Sequence, residues 1–142
     1  MQNLDPAWSP SGKAIVFSRR GDRSFTTSTA VSPARLFRLQ VETGTVVRLT
    51  QTVSGNGDVN PVYSPNGAQI AFASDRSGNK DVYLLDVASD NVSRVTRDQK
   101  HNYEPSFSPD GTALVFVSAA VPRSSGCRTS SASRPSTAAH GS

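Results

Sequence analysis

The amino-acid sequence predicts an all-β fold: a partial β-propeller of about two and a half four-stranded blades, followed by a disordered C-terminal tail. Two observations carry this prediction. A seven-residue motif occurs three times, and a fifteen-residue segment occurs twice without gaps. Because repeats with a period of several tens of residues are typical of arrays of one supersecondary unit, these two matches decide the fold class.

The motif has the pattern Pro-x-aromatic-Ser-Pro-x-Gly, and a Phe follows five residues after each Gly. Ser-Pro-x-Gly suits a type I turn, because Ser favours the first position, Pro presets φ at the second and Gly suits the fourth. Apolar residues then alternate with a period of two, which is typical of a strand, so each copy is predicted to form a hairpin. The repeated positions are Pro6, Trp8, Ser9, Pro10, Gly12 and Phe17, then Pro61, Tyr63, Ser64, Pro65, Gly67 and Phe72, and finally Pro105, Phe107, Ser108, Pro109, Gly111 and Phe116.

The longer match aligns residues 36–50 with residues 82–96, and both copies read as strand, turn, strand. Together with the hairpin, this gives the four short strands of a propeller blade. The motif aromatics lie 55 and then 44 positions apart, and the second value fits one blade. We therefore expect propeller repeats over 1–118, divided into blades at 1–54 and 55–100 and a partial blade at 101–118, with the extra residues of the first repeat in loops.

The remaining segment, 119–142, is rich in Ser, Ala, Arg and Pro and has no periodic apolar pattern. Such a segment buries too little apolar surface to offset its ordering entropy, so we expect it to be disordered. Two explanations stay open: a genuine flexible tail, or a shifted reading frame, since the pattern stops abruptly inside a strand pair.

The stretch from Tyr63 to Asp86, closed by Arg94-Val95-Thr96, resembles the WD-repeat-like unit of TolB propellers, and the resemblance covers residues 5–118. It implies a bacterial, non-catalytic scaffold for protein–protein interaction in the periplasm, which in that family binds outer-membrane lipoproteins. The same unit occurs in tricorn-type proteases and in prolyl-oligopeptidase-like serine peptidases, so a fragment of a gating propeller is the alternative. A propeller lyase or a lectin-like carbohydrate binder is a third reading, which needs clustered His or exposed Trp on one face.

Two polar segments are candidates for partner contact, because binding residues concentrate on loops carried by rigid scaffolds. One is the loop 74–81, whose spacing does not fit a helix-loop-helix calcium site and which otherwise reads as a solvated hairpin loop. The other is the basic insertion that begins at residue 19, which otherwise reads as a tolerated surface insertion. The candidate contact residues are Arg19, Arg20, Arg23, Asp75, Arg76, Asn79 and Asp81.

The three motif aromatics could form a ligand platform, but their place in the repeat favours packing between neighbouring blades. No catalytic, cofactor-binding or metal-binding set is expected. His101 and His140 are isolated, Cys127 is the only cysteine, and neither a nucleophile elbow nor a phosphate-binding loop is present. The sequence therefore predicts that the chain itself is not an enzyme.

Charge and hydropathy limit the classes of partner that the chain is expected to bind. The net charge of +4 comes mostly from three tail arginines, so the propeller region gives nucleic-acid binding little electrostatic support. No apolar run is long enough to span a membrane, and residues 1–7 do not resemble a secretory signal. The expected partners are another protein or further blades, and open strand edges predict self-association. The periplasmic location follows from the resemblance alone.

Overall fold

The computed structural model describes residues 2–21, 32–51, 55 and 57–120, and this part of the chain contains ten strands and no helix. The strands form three antiparallel sheets in chain order, β1–β4, β5–β8 and β9–β10. The all-β, partial-propeller prediction is confirmed. The strands are β1 (Gln2–Trp8), β2 (Ala14–Arg20), β3 (Arg35–Gln40), β4 (Val46–Arg48), β5 (Asp58–Tyr63), β6 (Gln69–Ser74), β7 (Asp81–Asp86), β8 (Val92–Arg94), β9 (Lys100–Phe107) and β10 (Leu114–Ala120).

The end of β10 differs slightly from the prediction. Ala119 and Ala120 were expected in the tail but continue the strand, opposite His101 and Lys100 of β9. The small alanine side chains give no periodic apolar signal, yet ladder hydrogen bonds do not depend on side chains. The rest of the predicted tail lies outside the described residues.

Each Ser-Pro-x-Gly segment forms the predicted turn. The glycine N–H donates to the serine carbonyl at 2.9 Å for Gly12, 2.8 Å for Gly67 and 2.9 Å for Gly111. These glycines have φ between +70° and +73°, a region that other residues rarely adopt. The turns also stack, since a Cβ added to Gly67 or Gly111 would lie 3.6 Å or 3.4 Å from Cδ of the motif proline in the preceding blade. The positive φ of the turn therefore favours glycine at these positions, whereas the proline of the neighbouring blade lies only at ordinary contact distance.

A β-bulge repeats just before the motif proline of each copy. Asp5, Asn60 and Glu104 all have a φ of 52°, and the strand register shifts at this point in all three hairpins. Asp and Asn tolerate the left-handed region better than most residues, and a bulge bends its strand. The backbone N–H of Asn60 donates to Oδ2 of Asp5 at 3.2 Å, so the bulges of adjacent blades touch.

The β5–β8 sheet packs on a neighbour at each face. Towards the first sheet, Phe72 and Tyr83 belong to a cluster with Val16 and Leu36. On the opposite face, Leu84 packs with Leu114 of β10. The period-two alternation read from the sequence therefore sorts side chains between two blade interfaces, as a propeller requires.

Trp8 departs from the expected packing between blades. Its equivalent Tyr63 is 8% exposed, whereas Trp8 is 61% exposed. Trp8 of β1 is paired with Ile15 of β2, and Ile15 is paired on its other side with Leu39 of β3. This row lies on the face of the first sheet that points away from β5–β8, and no sheet within the described residues covers it.

The third turn gives a prediction about pH. Asp110 accepts hydrogen bonds from the Ser108 hydroxyl and from the Thr112 N–H, which lower its pKa from 3.8 to about 2. Because the folded pKa lies below the unfolded one, this contribution to stability is present above about pH 4 and is lost as the pH falls through about 2. An NMR titration of the Thr112 amide is expected to show a midpoint near 2.

The control for that titration is Asp110→Asn. Asn66 occupies the same position in the second turn, where its Oδ1 accepts from Ser64 and from the Ala68 N–H. The variant should therefore keep the turn and lose the titration. A midpoint near 3.8 in the unmodified chain would show that these hydrogen bonds do not favour the charged carboxylate.

Candidate functional site

Successive strands of a blade are connected alternately at its two opposite ends. The Ser-Pro-x-Gly turns lie at one end, which we call the turn face. The β2–β3 and β6–β7 connections lie at the other end, which we call the loop face. A groove of about 440 Å³ opens on the loop face between the second and third blades. This loop-face groove is lined by Asp75, Gly78, Lys80, His101 and Tyr103.

Arg76, one of the predicted contact residues, is tied into its own blade. Its guanidinium donates to Oδ1 of the buried Asp58 at 2.8 Å and, through Nε, to Oγ of Ser74 at 3.1 Å. The same group lies over the rings of Phe72 and Tyr83, at 5.4 Å and 4.9 Å from their centroids. Arg76 therefore anchors the loop rather than projecting from it.

Asp81 is fully buried at the start of β7. Its Oδ1 accepts from the Thr96 hydroxyl at 2.7 Å, and its Oδ2 accepts from Ser77 Oγ at 2.8 Å and Arg94 Nη2 at 2.7 Å. A desolvated carboxylate needs such partners, and this set ties the β6–β7 loop to β8.

Arg19 shows that the first blade uses a related arrangement. Its Nε donates to Oδ1 of Asn3 at 2.9 Å, and its guanidinium lies 5.1 Å and 4.8 Å from the ring centroids of Phe17 and Phe37. Arg20 is half-buried, and its Nε makes no hydrogen bond to the described residues. The predicted contact residue Arg23 lies outside the described residues.

The groove itself is assembled from two blades. Asp75 Oδ1 accepts the Gly57 N–H at 3.0 Å, and the Lys80 N–H donates to Nδ1 of His101 at 3.3 Å. Asn79, a predicted contact residue, directly precedes Lys80 in the chain and is half-buried. The Lys80 ammonium and the Tyr103 hydroxyl suit recognition of polar or anionic groups on a partner.

Sequence reasoning pointed to the loop 74–81 with Asp75 but not to the groove that this loop forms with the third blade. His101 and Tyr103 follow Lys80 by 21 and 23 positions, and none of the three belongs to a repeated motif. They meet because the N–H of Asn102 in β9 donates to the Lys80 carbonyl at 2.6 Å, which docks the third blade against the β6–β7 loop. In the described part of the chain, no group of three or more His, Cys, Asp or Glu side chains could hold a metal ion.

Successive four-stranded antiparallel sheets, packed face to face in chain order, define the class as a β-propeller. The model of the TolB beta propeller domain family matches residues 1–134, and the chain belongs to this family. An uncharacterized protein of Agrobacterium fabrum is 32% identical over 78% of this chain and 34% of its own length. The Tol-Pal system protein TolB of Geobacter sulfurreducens is 46% identical over 35% of this chain and 12% of its own length.

Solved structures agree with this assignment. A structure described as TolB from Agrobacterium tumefaciens superposes with a TM-score of 0.67 and 29% identity, covering 84% of this chain and 40% of that one. An acylaminoacyl peptidase of Pyrococcus horikoshii has a TM-score of 0.62 at 14% identity, covering 82% of this chain and 17% of its own, and shows the fold alone. The chain thus spans well under half the length of these relatives. No helix in the described residues is long and apolar enough to cross a membrane.

Proposed function

We propose that this chain is part of a non-catalytic propeller that acts as a protein–protein interaction scaffold in the bacterial periplasm. The observation that carries the proposal is membership of the TolB propeller family, together with the match to a Tol-Pal system protein. The partner class follows from the same resemblance: a lipoprotein of the outer membrane.

The loop-face groove is the contact surface we propose. Arg76 and Asp81 use their charges inside the blade and hold the loop in place, whereas Lys80 and Tyr103 line the open groove. A rigid loop that carries accessible polar groups binds with little ordering cost. Asn79, next to Lys80 in the chain, extends this polar surface on the loop face, and Arg20 lies at the corresponding end of β2 in the first blade.

The test is a calorimetric titration of the protein with the soluble domain of the Tol-Pal lipoprotein from the same bacterium. Lys80→Glu should weaken binding at least about tenfold, which corresponds to about 1.4 kcal/mol, because it reverses a charge in the groove. The matched control is Lys13→Glu, which makes the same charge change on the turn face and should alter affinity less than about twofold. Equal losses in both variants, or no binding by the unmodified protein, would contradict the proposal.

A second candidate function is the gating propeller of a prolyl-oligopeptidase-like serine peptidase. The observation in its favour is the superposition on an acylaminoacyl peptidase, which is a likeness of fold. In that case the contact surface would face a hydrolase domain of the same polypeptide. The two functions differ in whether a reactive serine accompanies the propeller.

The apolar row of Trp8, Ile15 and Leu39, in which Trp8 is exposed and the other two are half-buried, predicts self-association of the 142-residue chain. An uncovered apolar sheet face is favoured to pack on another sheet, as the equivalent face of β5–β8 does. Sedimentation velocity should show an average mass that rises with concentration, and Trp8→Ser should reduce the rise. Val47→Ser is the control, because Val47 is 45% exposed on the opposite face. A concentration-independent monomer would contradict this prediction.

A further inference from the structure

The third sheet contains two buried hydrogen-bond acceptors that receive no donor from the described residues. Asn102 Oδ1 and Ser118 Oγ are shielded from solvent and make no hydrogen bond within residues 2–21, 32–51, 55 and 57–120. The two residues face each other across β9 and β10 and are 0% and 3% exposed. Because buried polar groups in proteins are nearly always paired, two such atoms on one residue pair indicate a specific missing donor.

The second blade shows which donor fits this position. Its register-equivalent pair is Asp58 and Ser74, which face each other across β5 and β6 in the same way. Both accept hydrogen bonds from one side chain, the guanidinium of Arg76, at 2.8 Å and 3.1 Å. In the first blade the equivalent Asn3 also accepts from a guanidinium, that of Arg19. An asparagine at this position is therefore a suitable guanidinium acceptor.

The third blade lacks its own arginine at the matching place. Arg76 lies two residues after Ser74, and the residue two positions after Ser118 is Ala120. The aromatic ring that lies beneath Arg76 in the second blade has an equivalent in the third blade. Phe116 lies two residues before Ser118, as Phe72 lies two residues before Ser74. Two acceptors and an aromatic ring thus remain together at the end of β10.

The described part of the chain also leaves the adjoining edge of β10 without a partner strand. In the described residues β10 pairs only with β9, whereas β2 and β6 each pair with a strand on both sides. Val115 and Val117 of β10 are 44% and 42% exposed. An unpaired edge of seven residues can receive an extended segment through main-chain hydrogen bonds.

We propose that the third sheet binds an arginine-bearing β-strand of a partner protein, which pairs with the edge of β10 and places its guanidinium on Asn102 Oδ1, Ser118 Oγ and the Phe116 ring. In the second blade Arg76 lies five positions before Asp81, the first residue of the paired strand β7. The partner segment should therefore carry its arginine about five residues before an apolar strand. Asn102 lies between the groove residues His101 and Tyr103, so this site borders the loop-face groove. The proposal does not depend on the lipoprotein assignment.

The experiment titrates the full 142-residue chain into a fluorescent peptide with the sequence of residues 75–86, DRSGNKDVYLLD, and follows anisotropy. We expect saturable binding that weakens at least about tenfold when the peptide carries Arg76→Met. A peptide with Arg76→Lys keeps the charge but loses the planar fork, and should bind at least about threefold more weakly than the arginine peptide.

A variant of the protein tests the acceptors directly. Ser118→Ala removes one acceptor with a minimal change of volume and should weaken the arginine peptide severalfold while leaving the methionine peptide unchanged. Equal affinity of the arginine, lysine and methionine peptides would show that the edge binds any strand and would overturn the guanidinium site. Absence of binding by the arginine peptide would overturn the proposal altogether.

Discussion

Replacing Phe72 by alanine is expected to lower the free energy of unfolding by about 3–5 kcal/mol. Phe72 is fully buried in the cluster that joins the first and second blades, and it stacks on Tyr83 with ring centroids 5.8 Å apart. The substitution leaves a cavity between two sheets and removes one of the two rings beneath Arg76. Urea denaturation followed by circular dichroism measures the change.

The control is Val47→Ala. Val47 is apolar and lies in a strand, but it is 45% exposed, so its truncation should cost less than about 0.5 kcal/mol. Similar losses in Phe72→Ala and Val47→Ala would mean that the sheets do not pack through this cluster. Phe72→Leu should fall between the two, because leucine fills part of the cavity.

Asp81→Ala is the second substitution with a large expected effect, about 2–3 kcal/mol in the free energy of unfolding. It removes the acceptor of three hydrogen bonds, from Thr96, Ser77 and Arg94. The Thr96 hydroxyl is buried and loses its acceptor, whereas the Arg94 side chain is 31% exposed and regains water, which limits the cost. Thermal unfolding of the two proteins at pH 7 tests this expectation.

Glu42→Ala is the matched control for Asp81→Ala. It also removes a carboxylate, but Glu42 is exposed in the turn after β3, so a change within about 0.5 kcal/mol is expected. If Asp81→Ala were as mild as Glu42→Ala, the buried network would not hold the β6–β7 loop to its blade.

The repeat made the fold predictable, because each part of the repeated segment favours a particular local structure. Ser-Pro-x-Gly specifies its own turn, and the alternation after Gly12 and Gly67 specifies which side chains face each neighbouring blade. The exposure of Trp8 was harder to predict, since a residue at this motif position is buried only when a neighbouring sheet covers its face. Sequence periodicity describes the faces of a strand but does not show whether a neighbour covers them.

The candidate sites were less predictable because they depend on contacts between blades. The loop containing Arg76 and Asp81 was identified from its polarity, but polarity alone does not separate internally paired charges from accessible ones. Asn102 and Ser118 lie outside the seven-residue motif, although their spacing from the motif aromatics matches that of Asp58 and Ser74. Only the strand register shows that the two members of each pair face each other, because a bulge shifts the register by one residue in each hairpin.

The central claim is that this propeller binds protein partners and does not serve a serine hydrolase. The most direct measurement is to treat the native gene product, isolated from its source cells, with a fluorophosphonate probe that labels reactive serines. The account predicts that the polypeptide containing this sequence stays unlabelled beside a labelled control hydrolase. A covalently labelled serine in the same polypeptide would contradict it and identify the chain as part of a peptidase.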